Sequence, residues 1–133
     1  MKTFLTLLLF VAFASCSKEQ IQTNAVISAM TNGQWKVVNF MNGNTNMTSD
    51  FSVYKFQFKT NLSVDAINNN TVEKTGTWNA DANARTITSN FTNASNPLML
   101  LNGTWKITNN SWNFVEASQT VNNELRTLRL EKL

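Results

Sequence analysis

The sequence predicts an all-β protein, an eight-stranded antiparallel up-and-down barrel that follows a short N-terminal helix. From Gly33 onward, apolar and polar residues alternate with a period of two, in short runs separated by turn-type residues. The chain has four glycines, and Gly33, Gly76 and Gly103 each stand two residues before a tryptophan. A glycine within a strand marks a bend or a close backbone approach, and both are needed when a sheet closes into a barrel.

The first residues of the sequence predict an export signal. Lys2 is followed by an apolar run at 4–14, which is too short to cross a bilayer as a stable helix but suits the central region of a signal peptide. The stretch Phe13-Ala14-Ser15-Cys16 resembles a bacterial lipobox. This resemblance implies that Cys16 becomes the first residue and carries a diacylglyceryl group and an N-linked acyl chain such as palmitate. The alternative is an ordinary cleaved signal with an incidental cysteine.

The lipobox resemblance also implies a location. Ser17 follows the cysteine, whereas an Asp at that position retains enterobacterial lipoproteins at the inner membrane. We therefore expect a lipid-anchored protein of the cell envelope at the outer membrane, on its periplasmic face or at the cell surface. The expected units are a signal peptide at 1–15, a lipidated cysteine and polar tether at 16–23, and a barrel at 24–133.

The elements of the barrel domain follow from the change in periodicity. Val26, Ile27 and Met30 share a face of a predicted helix at 24–31, which ends at Gly33. The eight predicted strands lie at 34–41, 52–58, 62–67, 75–79, 85–91, 98–108, 111–116 and 125–132. These runs have ordinary strand lengths and are rich in residues that favour strands.

Turn residues predict the strand registers. A three-residue loop at 59–61 with a left-handed Asn61 predicts the pairs Phe58–Leu62 and Phe56–Val64. A two-residue turn at Asn109-Asn110 and the hairpin after it predict the pairs Ile107–Trp112, Trp105–Phe114, Trp112–Leu130, Phe114–Leu128 and Glu116–Arg126. With these registers every bulky residue lies on one face.

That face defines the predicted interior. Trp35, Trp78 and Trp105 point to the same side as the glycines two residues before them and are expected to fill the barrel at its bends. The other interior residues are Val37, Tyr54, Phe56, Phe58, Leu62, Val64, Ile87, Phe91, Ile107, Trp112, Phe114, Leu128 and Leu130. So many large rings favour a filled core or a modest cavity over a roomy one.

The lengths of the connections predict which end is open. The longer connections, at 42–51, 68–74, 92–97 and 117–124, lie at one rim of an up-and-down barrel. We expect this rim to be the open mouth, because functional residues are concentrated on such loops. The expected mouth residues are Met47, Phe51, Pro97, Leu98 and Met99. The helix at 24–31 is expected to cover the opposite end.

The stretch Asn32-Gly33-Gln34-Trp35-Lys36, directly after a short helix, resembles the Gly-x-Trp signature of lipocalins. The segments "YKFQFKTNLSVD", "KTGTWNAD", "LLNGTWKIT" and "LRTLRLEKL" resemble small lipocalin-like lipoproteins of Gram-negative bacteria. The resemblance covers 24–133 and implies a lipocalin-like, calycin-type barrel. It also implies that a basic residue near the chain end stacks on Trp35, with Arg126 and Arg129 as the positional candidates.

These features predict a membrane-anchored lipocalin-like lipoprotein that binds a small hydrophobic or amphipathic ligand in the barrel. The candidate ligand-binding residues are Trp35, Tyr54, Phe56, Trp78, Trp105, Trp112, Phe114, Glu116 and Arg126. The pair Glu116–Arg126 is interpreted as an ion pair at the rim, or alternatively as a site where Arg126 receives a ligand carboxylate. A second hypothesis is a non-catalytic interaction or inhibitor module of the cell envelope with a filled core.

The composition argues against other functions. The chain has no histidine and one cysteine, Cys16, so zinc ligands are lacking and no metal or other cofactor is expected. The acidic residues Asp50, Asp65, Glu73 and Asp81 lie in different runs, so we do not expect an enzyme. The basic residues are scattered despite a net charge of +3, which argues against nucleic acid as a partner. The expected partners are the membrane, a small apolar ligand and an envelope protein.

Overall fold

The alternating runs form one continuous antiparallel sheet. In the computed structural model, which describes residues 22–133, residues 22–31 form a helix (α1) that leads into the first strand. The strands are β1 (Trp35–Asn42), β2 (Thr45–Asn46), β3 (Tyr54–Phe58), β4 (Ser63–Asn68), β5 (Thr71–Asp81), β6 (Thr86–Asn90), β7 (Gly103–Asn110), β8 (Phe114–Val121) and β9 (Glu124–Lys132). β2 is a two-residue extension beside β1, and the other eight strands form the wall.

The wall is closed, as the sequence predicts. Each strand from β3 to β8 pairs with the next one along the chain, and β9 returns to pair with β1 from Trp35–Lys132 to Asn42–Arg126. β1 also meets β3 at Trp35–Phe56. The all-β fold with eight antiparallel strands and a short N-terminal helix is therefore confirmed.

The three tryptophans that follow glycines are buried, and each indole N–H is satisfied. Trp35, Trp78 and Trp105 donate to backbone carbonyl oxygens at 2.9, 3.0 and 2.9 Å. The acceptors are, in the same order, Met30, Lys59 and Leu101. A buried indole needs such a partner, so each bond fixes the wall to a segment that covers one end of the barrel.

Two different constraints explain these glycines. A Cβ on Gly76 would lie 2.5 Å from the backbone oxygen of Asn90, so the backbones of β5 and β6 approach too closely for any side chain. Gly33 and Gly103 have φ angles of +85° and +108°, which L-residues rarely adopt. The expectation that glycine serves bends and close approaches is confirmed.

The β3–β4 hairpin differs from the predicted register by two residues. Phe58 pairs with Val64 and Phe56 with Ala66, and Leu62, not Asn61, has the left-handed conformation. Because side chains alternate with a period of two, a shift of two leaves every residue on its predicted face. The predicted pairs were wrong, whereas Val64 still lies in the core.

The β7–β8 hairpin differs by an odd number of residues, which has larger consequences. Asn109 and Asn110 extend β7 instead of forming a turn, and a bulge between Ile107 and Asn109 shifts the register. Ile107 pairs with Ala117 and Asn110 with Val115. A bulge adds one residue to one strand, so the faces of β8 are exchanged. Val115 and Ala117 are buried, and the predicted interior positions of Trp112 and Phe114 were wrong.

The predicted register of the last hairpin, between β8 and β9, was also wrong. Asn122 and Asn123 form its turn with φ angles of 51° and 64°, both in the left-handed region that two-residue hairpins favour. Glu116 therefore pairs with Arg129, not with Arg126. The other predicted partners change likewise, to Val115–Leu130, Ala117–Leu128 and Phe114–Glu131.

The barrel has two distinct ends. At the helix end lie α1 and the connections at 59–62, 82–85 and 111–113; at the loop end lie those at 43–53, 69–70, 91–102 and 122–123. The connections at 69–70 and 122–123 are tight two-residue turns. The prediction of four long loops at this rim was therefore wrong for these two connections. The helix covers the end that the sequence predicts.

The helix begins earlier than predicted, since residues 22 and 23 belong to it and not to the tether. The predicted signal peptide at 1–15 and the predicted lipidation site Cys16 lie outside the described residues. No helix within residues 22–133 has the length and apolar character needed to span a membrane.

Candidate ligand-binding site

The predicted mouth at the loop end is closed. Residues Thr48–Phe51 and Leu98–Leu101 form two 3-10 helices in the long connections, and their apolar side chains turn into the barrel. Phe51 is 1% exposed and its ring centroid lies 4.9 Å from that of Phe40. Leu98, Leu100 and Leu101 are also buried. Of the predicted mouth residues, Met99 is half-exposed, whereas Met47 and Pro97 are partly buried.

The interior of the barrel holds a small apolar cavity of about 50 Å³. Its walls include Phe56, Phe91, Leu101, Trp105 and Leu128. A water molecule occupies about 30 Å³ of liquid, and pockets for drug-sized ligands begin at about 300 Å³. The interior can therefore receive the end of a ligand but not a whole one, which agrees with the predicted filled core or modest cavity.

A larger apolar space, the helix groove, lies between α1 and the β7–β8 hairpin. It has a volume of about 290 Å³ and is open to solvent. Its walls include Ala25, Val26 and Ala29 of α1 and Ile107, Trp112 and Val115 of the hairpin. Small residues on the helix leave this space, because they do not fill the gap between the helix axis and the sheet.

The helix groove and the interior cavity share three side chains. Met30, Ile87 and Val115 line both spaces. Met30 is 1% exposed and its carbonyl oxygen accepts the indole N–H of Trp35, so this part of the helix is held against the barrel. These three residues form the partition between the helix groove and the interior cavity.

A lysine lies between two tryptophans at the same end. The Lys132 Nζ is 5.1 Å from the ring centroid of Trp35 and 4.7 Å from that of Trp112. Within residues 22–133 this Nζ atom is buried and has no hydrogen-bond partner. Trp35 opposes Lys132 because β9 closes on β1. The basic residue on Trp35 is thus Lys132, and the choice between Arg126 and Arg129 was wrong.

The predicted pair Glu116–Arg126 is absent. Glu116 forms a salt bridge with Arg129, which also bonds Glu131 at 3.0 Å and lies 4.2 Å above the ring of Phe114. The hydrogen bonds that Arg129 donates to Glu131 and, with a smaller effect, to Glu116 raise the pKa of Arg129. Arg126 donates instead to the side-chain oxygen of Asn42 at 3.1 Å. Neither Glu116 nor Arg126 lines the cavity or the helix groove.

The remaining candidate ligand-binding residues divide between the two spaces and the packed wall. Phe56 and Trp105 line the interior cavity, and Trp35 and Trp112 line the helix groove. Trp78 is buried against Phe58, with ring centroids 5.2 Å apart. The residues that sequence reasoning did not place at a ligand site are Met30, Ile87, Ile107, Val115 and Lys132. The apolar face of the predicted helix was the one signal for Met30.

Tyr54 is held by an acidic partner and is not a free ligand contact. Its hydroxyl donates to Glu73, whose other oxygen accepts from Asn68 at 3.2 Å. Burial, followed by the hydrogen bond and charge of Glu73, raises the pKa of Tyr54 to about 12. The same hydroxyl and Asn68 lower the pKa of Glu73. The Tyr54 hydroxyl therefore stays neutral, donates to the Glu73 carboxylate and links β3 to β5.

A second acidic group fixes the β3–β4 loop at the helix end. Asp65 is buried and accepts from Lys59 at 2.7 Å and from Thr75 at 2.7 Å. These two hydrogen bonds lower the pKa of Asp65 against the opposing effect of burial. Residues 22–133 contain no cluster of three His, Cys, Asp or Glu side chains able to hold a metal ion.

The fold and the two spaces define a small closed β-barrel with an apolar groove at one end. No protein-family model and no curated protein matches the chain. A solved structure of similar fold is that of a DUF4847 family protein from Bacteroides vulgatus ATCC 8482, with a TM-score of 0.56 over 80% of this chain and 96% of that chain. The two sequences are 17% identical, so the similarity shows the fold alone.

Proposed function

We propose that the protein is a non-catalytic, lipocalin-like lipoprotein that binds a small hydrophobic or amphipathic molecule in the helix groove. The observation that carries this proposal is an open apolar groove that shares Met30, Ile87 and Val115 with the interior cavity. The volume of the groove lies near the lower limit of small-molecule pockets. A ligand there removes apolar surface of both partners from water, which stabilises the complex by roughly 25 cal/mol per Å².

The groove can be tested by filling it. The mature chain from residue 16, carrying Cys16→Ala so that it has no anchor, is titrated with a panel of fatty acids, quinones and haem. We expect at least one compound to change tryptophan emission, because Trp35 and Trp112 line the groove. Ala29→Phe places a ring in this space and should abolish the change.

Ala84→Phe is the matched control, because it makes the same substitution at an exposed position in the connection at 82–85. This variant should bind like the parent chain. The proposal fails if no compound changes the emission of the parent chain, or if Ala29→Phe binds as the parent does.

The membrane anchor is the second part of the proposal. The lipobox at Cys16 precedes the groove-forming helix by a short segment, which puts the proposed ligand site near the anchor in sequence. We expect the wild-type protein in the outer-membrane fraction and the Cys16→Ala variant in the soluble fraction. Membrane retention of Cys16→Ala would refute lipidation, and a soluble wild-type protein would support an ordinary cleaved signal.

A second candidate function is a protein-interaction module of the cell envelope. Four of the six exposed large apolar side chains in the described residues lie at the loop end, namely Val53, Val72, Met99 and Leu125, and the other two, Trp112 and Leu133, lie at the helix end. Such residues at one rim support a protein contact there. A partner captured by the parent chain and by Ala29→Phe, but lost from the Met99→Glu and Leu125→Glu variant, would favour this function over ligand binding.

A further inference from the structure

Among residues 22–133, the ammonium group of Lys132 finds no hydrogen-bond acceptor. Its Nζ atom is buried without a hydrogen-bond partner, and no salt bridge joins it to an acidic side chain in the described residues. Buried polar groups are normally hydrogen-bonded, and an unpaired buried charge is costly. The faces of Trp35 and Trp112 supply a favourable electrostatic contact, but they accept no conventional hydrogen bond.

The two rings around this ammonium are held very differently. Trp35 is 0% exposed and its indole N–H donates to Met30. Trp112 is 52% exposed, lies in the short connection at 111–113, and lines the helix groove. Movement of the Trp112 ring would therefore bring the ammonium into contact with the groove, whereas Trp35 would stay in place.

We propose that the helix groove selects a single-chain carboxylate, whose head group accepts hydrogen bonds from Lys132 when the Trp112 ring moves aside. This inference rests on the proposed function of the groove. The apolar chain lies along Ala25, Val26 and Ala29, and its end points toward the partition at Met30. One ammonium matches the single charge of a carboxylate, and the half-exposed indole covers it when the groove is empty.

The test compares ligands that share a chain and differ in the head group. Decanoate, decanol and decylamine are titrated into the mature Cys16→Ala chain by calorimetry. We expect decanoate to bind at least about tenfold more tightly than decanol, because hydrogen bonds to a charged group are stronger than neutral ones. Decylamine should bind most weakly, because its charge repels Lys132.

Lys132→Met removes the charge and keeps the length of the side chain. This variant should lose the preference for decanoate over decanol and retain its affinity for decanol. Lys55→Met, at an exposed position on the barrel wall, is the matched control and should keep the preference. A purely structural role of Lys132 would change the affinity for both ligands together.

Trp112→Ala provides an independent measurement if Lys132→Met does not fold. Without the covering ring, the preference for decanoate should persist or increase, and its loss overturns the inference. Equal binding of decanoate and decanol to the parent chain also overturns it, but leaves the groove as an apolar site. Absence of binding by all three ligands overturns this inference, whereas the proposed function is contradicted only if the whole panel of fatty acids, quinones and haem also fails to bind.

Discussion

The two ends of the barrel are closed in different ways. At the loop end, Phe51 and Leu101 belong to connections that fold inward and become part of the core. At the helix end, α1 contacts the barrel through Met30 but leaves the groove along Ala25 and Ala29. Large apolar side chains within a connection fill the space below it, whereas a helix with small residues covers an opening without filling it. We therefore expect stability to depend most on the loop end and ligand binding on the helix end.

The largest expected effect is that of truncation at the loop end. Phe51→Ala removes a ring that packs on Phe40, and should lower the free energy of unfolding by about 3–5 kcal/mol. Urea denaturation followed by circular dichroism measures this loss. Trp112→Ala at the helix end removes a larger side chain that is already half-exposed, and should cost less than about 1 kcal/mol. Equal losses would show that the two ends do not differ in this way.

A smaller loss of stability is expected at the partition. Met30→Ala removes a buried side chain and should cost about 2–4 kcal/mol. It should also join the interior cavity to the helix groove, so that a longer alkyl chain gains affinity relative to a shorter one. Calorimetry with dodecanoate and decanoate measures this gain. Met99→Ala, at a half-exposed site of the loop end, is the control and should change neither quantity. An unchanged chain-length preference in Met30→Ala would contradict the partition.

The wall of the barrel could be predicted from sequence because it depends on local periodicity. Alternation identifies the faces of a strand without knowledge of its partner, so the burial of Trp35, Phe56 and Trp78 was predicted correctly. The β3–β4 register was wrong by two residues without any effect on these faces. The role of glycine also follows from a local signal, because a glycine within a strand indicates a close backbone approach. At Gly76 the neighbouring backbone indeed leaves no space for a side chain.

The faces of β8 could not be predicted because they depend on a bulge. Asn109-Asn110 has the composition of a hairpin turn, yet these residues extend β7 and the chain reverses at 111–113. Large aromatic residues also have two stable environments. Phe114 lies outside, where Arg129 covers its ring, and Trp112 packs on Lys132 in a similar way. Hydrophobicity alone does not distinguish a core position from such a cation–π contact.

The open end of the barrel was predicted wrongly for a related reason. Loop length identifies a rim, but it does not show whether the apolar residues of a loop turn inward. Phe51 and Leu98 were expected at an open mouth, and they close it instead. Lys132 could have been found from the sequence, because closure of β9 on β1 brings the end of the chain beside Trp35.

The acid sensitivity of the helix end gives a third, smaller effect. Asp65 has a lowered pKa in the folded state, so its contribution to stability is fully present above pH 4 or so and is lost as the pH falls through that lowered pKa. Asp65→Asn should cost about 1–2 kcal/mol at neutral pH and weaken the acid dependence of unfolding. Asp50→Asn, at an exposed position of the loop end, is the control.

Hydrogen exchange locates this effect. At low pH, amides of the β3–β4 connection at 59–62 should lose protection before those around Phe51, because Asp65 bonds Lys59 at the start of this connection. Loss of protection at the loop end first would contradict the difference between the two ends.

The smallest effect is expected for Glu116→Gln, which tests whether the outer face of β8 takes part in binding. Glu116 and Arg129 have side chains 38% and 32% exposed, and solvent weakens ion pairs at such exposed positions. Arg129 also keeps its contacts with Glu131 and Phe114 in this variant. The free energy of unfolding and the affinity for decanoate should therefore both stay close to the parent values, whereas Lys132→Met changes the affinity. Loss of decanoate binding in Glu116→Gln would instead place the carboxylate site on the outer face of β8, because Glu116 alternates with Val115 and does not line the helix groove.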